Sequence, residues 1–222
     1  MTVAAIIPAA GSGKRLGGDT PKAFRLIAGA TLLRRSVDAV ATSVDSVVVA
    51  VPPHWCVAAQ AALAGAACPT AVVVGGATRQ ESVFVALTAL APSVDVVLVH
   101  DAARPLMPPA VVAAVVAAVH AGAAAVVPAV PVPDTVKSVD AAGRVIATVD
   151  RTALVAIQTP QGFRRDVLER AHGVASAVAT DDAALVEALG IPVVTVPGHP
   201  AGFKITTPYD VVLAEALLGS RT

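Results

Sequence analysis

At 222 residues the chain can bury one full core but is short for two independent enzyme domains, so a single domain spanning 1–222 is expected. Sixteen basic residues balance sixteen acidic ones, which leaves no broad basic face of the kind nucleic-acid binding needs. The apolar fraction of 55% and mean hydropathy of +0.73 are high, yet no run reaches the roughly 18 apolar residues of a membrane span, and Ala110 to Val119 has only the length of a buried helix.

The first element is Val3 to Pro8, short, apolar and uncharged, as expected of a strand buried on both faces of a parallel sheet. It runs straight into a glycine loop, with no basic segment and cleavage site of a secretory leader, and a cytoplasmic protein is expected. In that loop Gly11 and Gly13 let backbone N–H groups approach an anion closely. Lys14, Arg15, Lys22 and Arg25 stand there against one acid, Asp19, so positive charge is focused at the head of the first strand. The Walker pattern fails because Lys14 is followed by Arg15, which leaves no hydroxyl for a metal. The dinucleotide fingerprint fails because Gly11, Gly13 and Gly17 are spaced GxGxxxG, and the second strand ends in Val51-Pro52-Pro53 without a ribose-binding acid. What suits the loop is a nucleotidyltransferase, with Arg15 and Lys22 reaching triphosphate oxygens.

Further along, Leu33, Val37 and Val40 lie on one helical face, and Val83, Leu87 and Leu90 repeat the spacing. Valine-rich runs at 46–51, 71–74, 94–99, 123–127 and 192–196 alternate with these segments, the signature of a parallel α/β sheet. Cys56 and Cys68 lack metal-site or disulfide spacing and read as structural thiols. Between strand and helix lies Gly75-Gly76-Ala77-Thr78-Arg79-Gln80-Glu81-Ser82, whose glycines admit a base or ribose and whose Ser82 offers a hydroxyl. A capping box of Thr78 and Glu81 explains the same residues without a ligand.

After Val94 to Val99 comes His100-Asp101-Ala102-Ala103-Arg104-Pro105, at the carboxyl end of a central strand, where open α/β sheets bind ligands. Asp101 supplies a hard oxygen suited to Mg²⁺, and Arg104 a planar donor for phosphate. The alternative is a plain Asp101–Arg104 ion pair, with His100 in a packing role. Pro108-Pro109 and Gly122 bracket a helix over 109–120. Residues 131–158 then depart from the rhythm as a polar β-hairpin arm around Ala141-Ala142-Gly143. A last helix covers 207–218, with Thr206 or Thr207 as its cap.

Taken in order, AAGSGKRLGGDTPK, GGATRQESV, HDAARP, PDTVK, DRTALVAIQTPQGF, TDDAALVEALG and FKITTPYD resemble the 2-C-methyl-D-erythritol 4-phosphate cytidylyltransferases over almost the whole chain. The resemblance implies a Rossmann-like α/β homodimer with a mostly parallel sheet flanked by helices, its β-arm used in dimerisation. It implies transfer of CMP from CTP to 2-C-methyl-D-erythritol 4-phosphate, with release of pyrophosphate and a divalent metal, Mg²⁺. Arg15 and Lys22 would stabilise the transition state. Ala9, Ala10, Gly11, Gly13, Gly76, Ser82 and Asp101 would bind the nucleotide, Asp101 also holding the metal. Arg104 and Lys204, with Thr135 and Arg151 from the partner's arm, would bind the acceptor. The sequence carries Gly202-Phe203 where that family usually has an asparagine and an aliphatic residue. Ending at 222, it leaves no room for the cyclodiphosphate synthase domain fused to some relatives, and a monofunctional enzyme is expected. A ribitol 5-phosphate cytidylyltransferase is the nearest rival, and a noncatalytic nucleotide-binding module or a dehydrogenase lies further off.

Overall fold

The structure, a computed structural model, describes residues 1–11, 20–175 and 179–220. In chain order the first half gives β1 (Thr2–Pro8), a 3-10 turn at Lys22–Phe24, the short strands β2 (Leu26–Ile27) and β3 (Ala30–Thr31), α1 (Leu32–Ala41), β4 (Ser46–Val51) and α2 (Cys56–Leu63). It continues with β5 (Thr70–Val74), α3 (Arg79–Thr88) and β6 (Val94–Val99). The second half gives α4 (Pro109–His120), β7 (Ala125–Pro131), β8 (Val136–Val139), β9 (Val145–Val149), β10 (Val155–Ile157) and β11 (Gln161–Arg164). It closes with α5 (Arg165–Val174), α6 (Asp182–Glu187), β12 (Val193–Pro197) and α7 (Pro208–Gly219).

Among the described residues the central sheet has eight strands, ordered β10-β7-β11-β6-β1-β4-β5, with β12 also paired to β7. The β1–β4, β1–β6, β4–β5 and β12–β7 ladders are parallel, and β11 runs antiparallel between β6 and β7. Side chains of β1 alternate between two cores, as the pleat requires. Val3, Ala5 and Ile7 meet Leu33, Val37 and Val115, so α1, α2 and α4 cover one face. Ala4 and Ile6 meet Val83, Leu87 and Leu168, so α3, α5 and α6 cover the other. Both faces of β1 are closed from water, which is why its sequence is apolar without alternation.

The valine runs fall where the sequence puts them, and the helix over 109–120 forms despite its valines, Gly122 ending it at φ +107°. Strands β10 and β11 are the departures from a parallel sheet, β11 lying inside it. Gly162 of β11 is squeezed between sheet and helix: a Cβ there would lie 3.1 Å from Leu98 Cδ2 and 3.2 Å from Val119 Cγ2.

The arm is narrower than 131–158. β7 runs through Pro131, and Val155 to Ile157 return to the main sheet as β10, so the excursion proper is 132–154. Within it, among the described residues, β8 and β9 pair only with each other, and Val139, Val145 and Ile146 are 55–67% exposed. No helix among the described residues is long and apolar enough to cross a membrane.

Candidate active site

β1 and β6 are neighbours, and the chain turns outward in opposite directions from them, β4 and β5 adding on one side, β11 and β7 on the other. That reversal opens a crevice beyond the strands' carboxyl ends. A cavity of about 430 Å³ fills it. One wall is the end of β1, Pro8 to Gly11, with Lys22 from the 3-10 turn; another is the Gly76 to Arg79 turn with Ser82; the third is Asp101 to Ala103, with Lys204 and Thr206.

Asp101 is the electrostatic centre. Arg79 Nε donates to its Oδ1 at 3.2 Å, and Lys204 Nζ to its Oδ2 at 2.6 Å. Burial works against the charged carboxylate, but Arg79 and then Lys204 outweigh it and hold the group well below the usual carboxylate range. An ionised oxygen donor therefore stands in the cavity at any physiological pH. The carboxylate bonds Arg79 and Lys204, not Arg104, so the plain Asp101–Arg104 pair weighed as the alternative is not the one that forms. Arg104 instead donates from Nη1 to Gly202 O at 2.7 Å and from Nη2 to Ile157 O at 3.2 Å, and its buried Nε has no partner among the described residues. Burial lowers its pKa, with Asp101 acting in the opposite sense.

Behind Asp101 a neutral chain of hydrogen bonds fixes the loop. The Asp101 N–H donates to Thr159 Oγ1 at 3.0 Å. Thr159 Oγ1 lies 3.1 Å from His100 Nδ1, and His100 Nε2 lies 3.2 Å from Arg104 O. A carbonyl can only accept, so Nε2 carries the proton and Nδ1 accepts from the threonine. Burial drives the His100 pKa down to about 4, which fits a packing role and a neutral ring.

The glycine turn at 75–82 is both a cap and a wall. Thr78 and Glu81 form the full capping box of α3, and the same turn borders the cavity. A Cβ on Gly75 would lie 2.7 Å from Ala10 Cβ and 2.9 Å from Ser82 Oγ, so only glycine lets the two loops touch. The Ser82 hydroxyl donates to Thr78 O at 2.8 Å, so in this state it is committed to its own helix.

Of the residues singled out in the sequence, Ala9, Ala10, Gly11, Lys22, Gly76, Ser82, Asp101 and Lys204 come together at this cavity. Gly13 and Arg15 lie outside the described residues. Arg104 sits behind the lining. Arg151 borders a separate hollow between β7, β10 and β12, where its guanidinium bonds the carbonyls of Pro133 and Val132, and Thr135 belongs to neither lining. Arg79 was the residue missed. It sits in the capping turn, where a helix-start reading already accounted for its neighbours.

Residues 3–220 match the family model described as IspD, 2-C-methyl-D-erythritol 4-phosphate cytidylyltransferase. A curated relative of that name from Frankia casuarinae is 56% identical over 218 residues, which cover 97% of this chain and 81% of the relative. One from Nocardia farcinica is 53% identical, covering 99% and 95%. Among solved structures, the cytidylyltransferase of that name from Thermus thermophilus is 42% identical with a TM-score of 0.79, 98% of each chain being covered. A 4-diphosphocytidyl-2C-methyl-D-erythritol synthase from Anaerococcus prevotii is 29% identical with a TM-score of 0.85 over the same share of both chains.

Proposed function

The chain belongs to the 2-C-methyl-D-erythritol 4-phosphate cytidylyltransferase family, and from that premise we propose that the cavity at the head of β1 and β6 is where its two substrates meet. The reaction transfers CMP from CTP to 2-C-methyl-D-erythritol 4-phosphate in nonmevalonate isoprenoid synthesis. An oxygen of the acceptor's phosphate attacks the α-phosphorus of CTP, the bond to the β-phosphate oxygen breaks, and pyrophosphate leaves. The attacking monoester is already an anion near neutral pH, so no side chain has to remove a proton. Catalysis then rests on positioning and on neutralising charge.

The observation that carries the assignment of site is Asp101, ionised and flanked by cations in a cavity walled by two glycine turns. Ala9, Ala10 and Gly11 would face the nucleotide from one side, Gly76 and Ser82 from the other. Lys22, with Arg15, would neutralise charge growing on the α-phosphate and the leaving pyrophosphate. Lys204 would hold the acceptor's phosphate. A Mg²⁺ ion fits this donor set, because it takes one or two carboxylates and completes its shell with phosphate oxygens and water. Asp101 would hold it, and the ion would supply further neutralisation of the triphosphate.

The acceptor site is completed in this reading by the arm of a second subunit. Arg151 and Thr135 sit away from the cavity of their own chain, and Val139, Val145 and Ile146 lie bare on a two-stranded ribbon, a structure of marginal stability alone in water. A homodimer that exchanges arms would cover those side chains and bring Arg151 and Thr135 to the partner's cavity. A cytoplasmic setting suits the free thiols of Cys56 and Cys68.

The deciding assay is pyrophosphate release with CTP and Mg²⁺. Release on adding methylerythritol phosphate, and little with ribitol 5-phosphate, is expected; the reverse preference would overturn the acceptor.

A further inference from the structure

Arg79 reaches beyond the cavity. While Nε bonds Asp101, Nη1 bonds Asp182 Oδ2 at 2.7 Å, so one guanidinium joins two carboxylates 81 residues apart in the chain (182 − 101). Asp182 is 1% exposed and stands away from the cavity lining. Its other oxygen, Oδ1, lies 3.0 Å from Nε2 of the equally buried His172 on α5, which donates to it. The start of α6 is tied down around it: Gln161 Nε2 donates to Asp181 Oδ2 at 2.7 Å, and Gln161 Oε1 accepts from Ala183 N at 3.1 Å. Asp181 itself caps the helix. The stretch TDDAALVEALG, prominent in the sequence but without a role in binding or transfer, thus delivers a fixed buried anion to the back of Arg79.

The two cations on Asp101 differ as a result. Arg79 is gripped from behind through a charged pair whose acid is sealed from water. Lys204 has a side chain 42% exposed on a single flexible stem. We propose that Arg79 is a positioning residue for the transfer reaction, anchored by the Asp182–His172 pair so that it holds Asp101 by Oδ1, while Lys204 on Oδ2 is the partner that exchanges Asp101 for phosphate. A buried carboxylate left without its cation is costly, so Arg79 keeps its place on Asp182 as phosphates enter. Asp101 then presents Oδ2 in a set orientation. The inference rests on the proposed function, and it adds α5 and α6 to the machinery.

The test compares wild type with Asp182→Asn, Arg79→Gln, Arg79→Lys and the double variant Arg79→Gln/Asp182→Asn. Thermal melting establishes that each is folded. Titration calorimetry then measures CTP binding with and without Mg²⁺, which needs no acceptor. Asp182→Asn keeps the shape and an acceptor for His172 but removes the charge behind Arg79. It is expected to shrink the Mg²⁺-dependent gain in CTP affinity about fivefold or more while leaving Mg²⁺-free binding near wild type, and to lower kcat about tenfold. The double variant should be no worse than Arg79→Gln, because Asp182 acts only through the guanidinium. Arg79→Lys should not restore activity, since one ammonium cannot bridge both acids. Equal weakening of CTP binding with and without Mg²⁺, losses that multiply in the double variant, or full activity of Arg79→Lys would each overturn the proposal. If Asp182→Asn does not fold, the Arg79 pair still decides. A wild type that binds CTP with Mg²⁺ but transfers nothing to methylerythritol phosphate counts against the acceptor reading instead.

Discussion

The crevice around Asp101 and the arm of β8 and β9 are both polar, yet they are held by opposite means. Around Asp101 the partners come from Arg79, Thr159 and Lys204, far apart in sequence, and Arg79 and Thr159 are each fixed again by a further contact, to Asp182 and to His100. In the arm the partners are neighbours: Arg144 pairs with Asp140, and Lys137 Nζ donates to Thr148 Oγ1 at 2.5 Å. The crevice depends on the whole fold and gains rigidity from it. The arm depends on itself, and its apolar side chains stay bare. A region closed within one chain can set geometry for chemistry, whereas a self-contained ribbon with exposed valines leaves apolar surface uncovered, which is the basis of the proposed arm exchange.

The largest effect that sharpens this contrast is expected for Lys22→Ala. If Lys22 neutralises developing charge as proposed, its removal should lower kcat by about 10² to 10³ while CTP affinity changes far less. Matched losses in steady-state kcat and calorimetric affinity would make Lys22 a uniform binder. Next, Arg151→Ala should lower activity by roughly tenfold or more, as loss of a phosphate-binding guanidinium does. Mixing it with Lys22→Ala subunits should restore about a quarter of wild-type activity, because half the dimers carry one intact site if arms are exchanged. No recovery after subunit exchange would place the arm in its own chain's site and break the comparison.

The third prediction concerns His100. Its folded pKa of about 4 lies below the ordinary 6.5, so the unfolded chain takes up a proton that the folded one refuses. Stability from this group is complete above about pH 6.5 and is lost as pH falls toward 4, by up to about 3 kcal/mol. Urea unfolding at stepped pH should show that slope in wild type and lose it in His100→Gln. The smallest effect on folding is expected from Ile146→Asp in the arm: monomer stability within about 0.5 kcal/mol of wild type, as for surface sites generally, but a weaker dimer by ultracentrifugation. A large drop in Tm at low protein concentration would mean the arm packs on its own chain.

Strands β1, β4 and β6 could be read directly because burial on both faces leaves a nearly unbroken apolar run, interrupted in β6 only by exposed Asp95 near its start. So could α4, whose ends are marked by Pro109 and Gly122. β11 could not: Gln161-Gly162-Phe163-Arg164 has no such run, and its glycine answers to crowding by Leu98 and Val119 that the local sequence does not contain. The six residues of α6 are too few to show a period. Asp101 was legible from its place after a valine strand. Its partners were not, since Arg79 and Lys204 meet it only through the sheet order, and nearby Arg104 turns to the carbonyls of Gly202 and Ile157 instead. The arm showed in its polarity. Its limits did not, because Val155 to Ile157 look alike whether they pair within the hairpin or with β7.

At Gly75 two walls of the cavity become one. With nothing between Ala10 and Ser82 but its bare Cα, the start of the first loop and the head of α3 share a single vertex, and neither can swing without pushing the other. A side chain at Gly75 would have to wedge Ala10 and Ser82 apart, so the spacing of the two walls at that end is set by this one position.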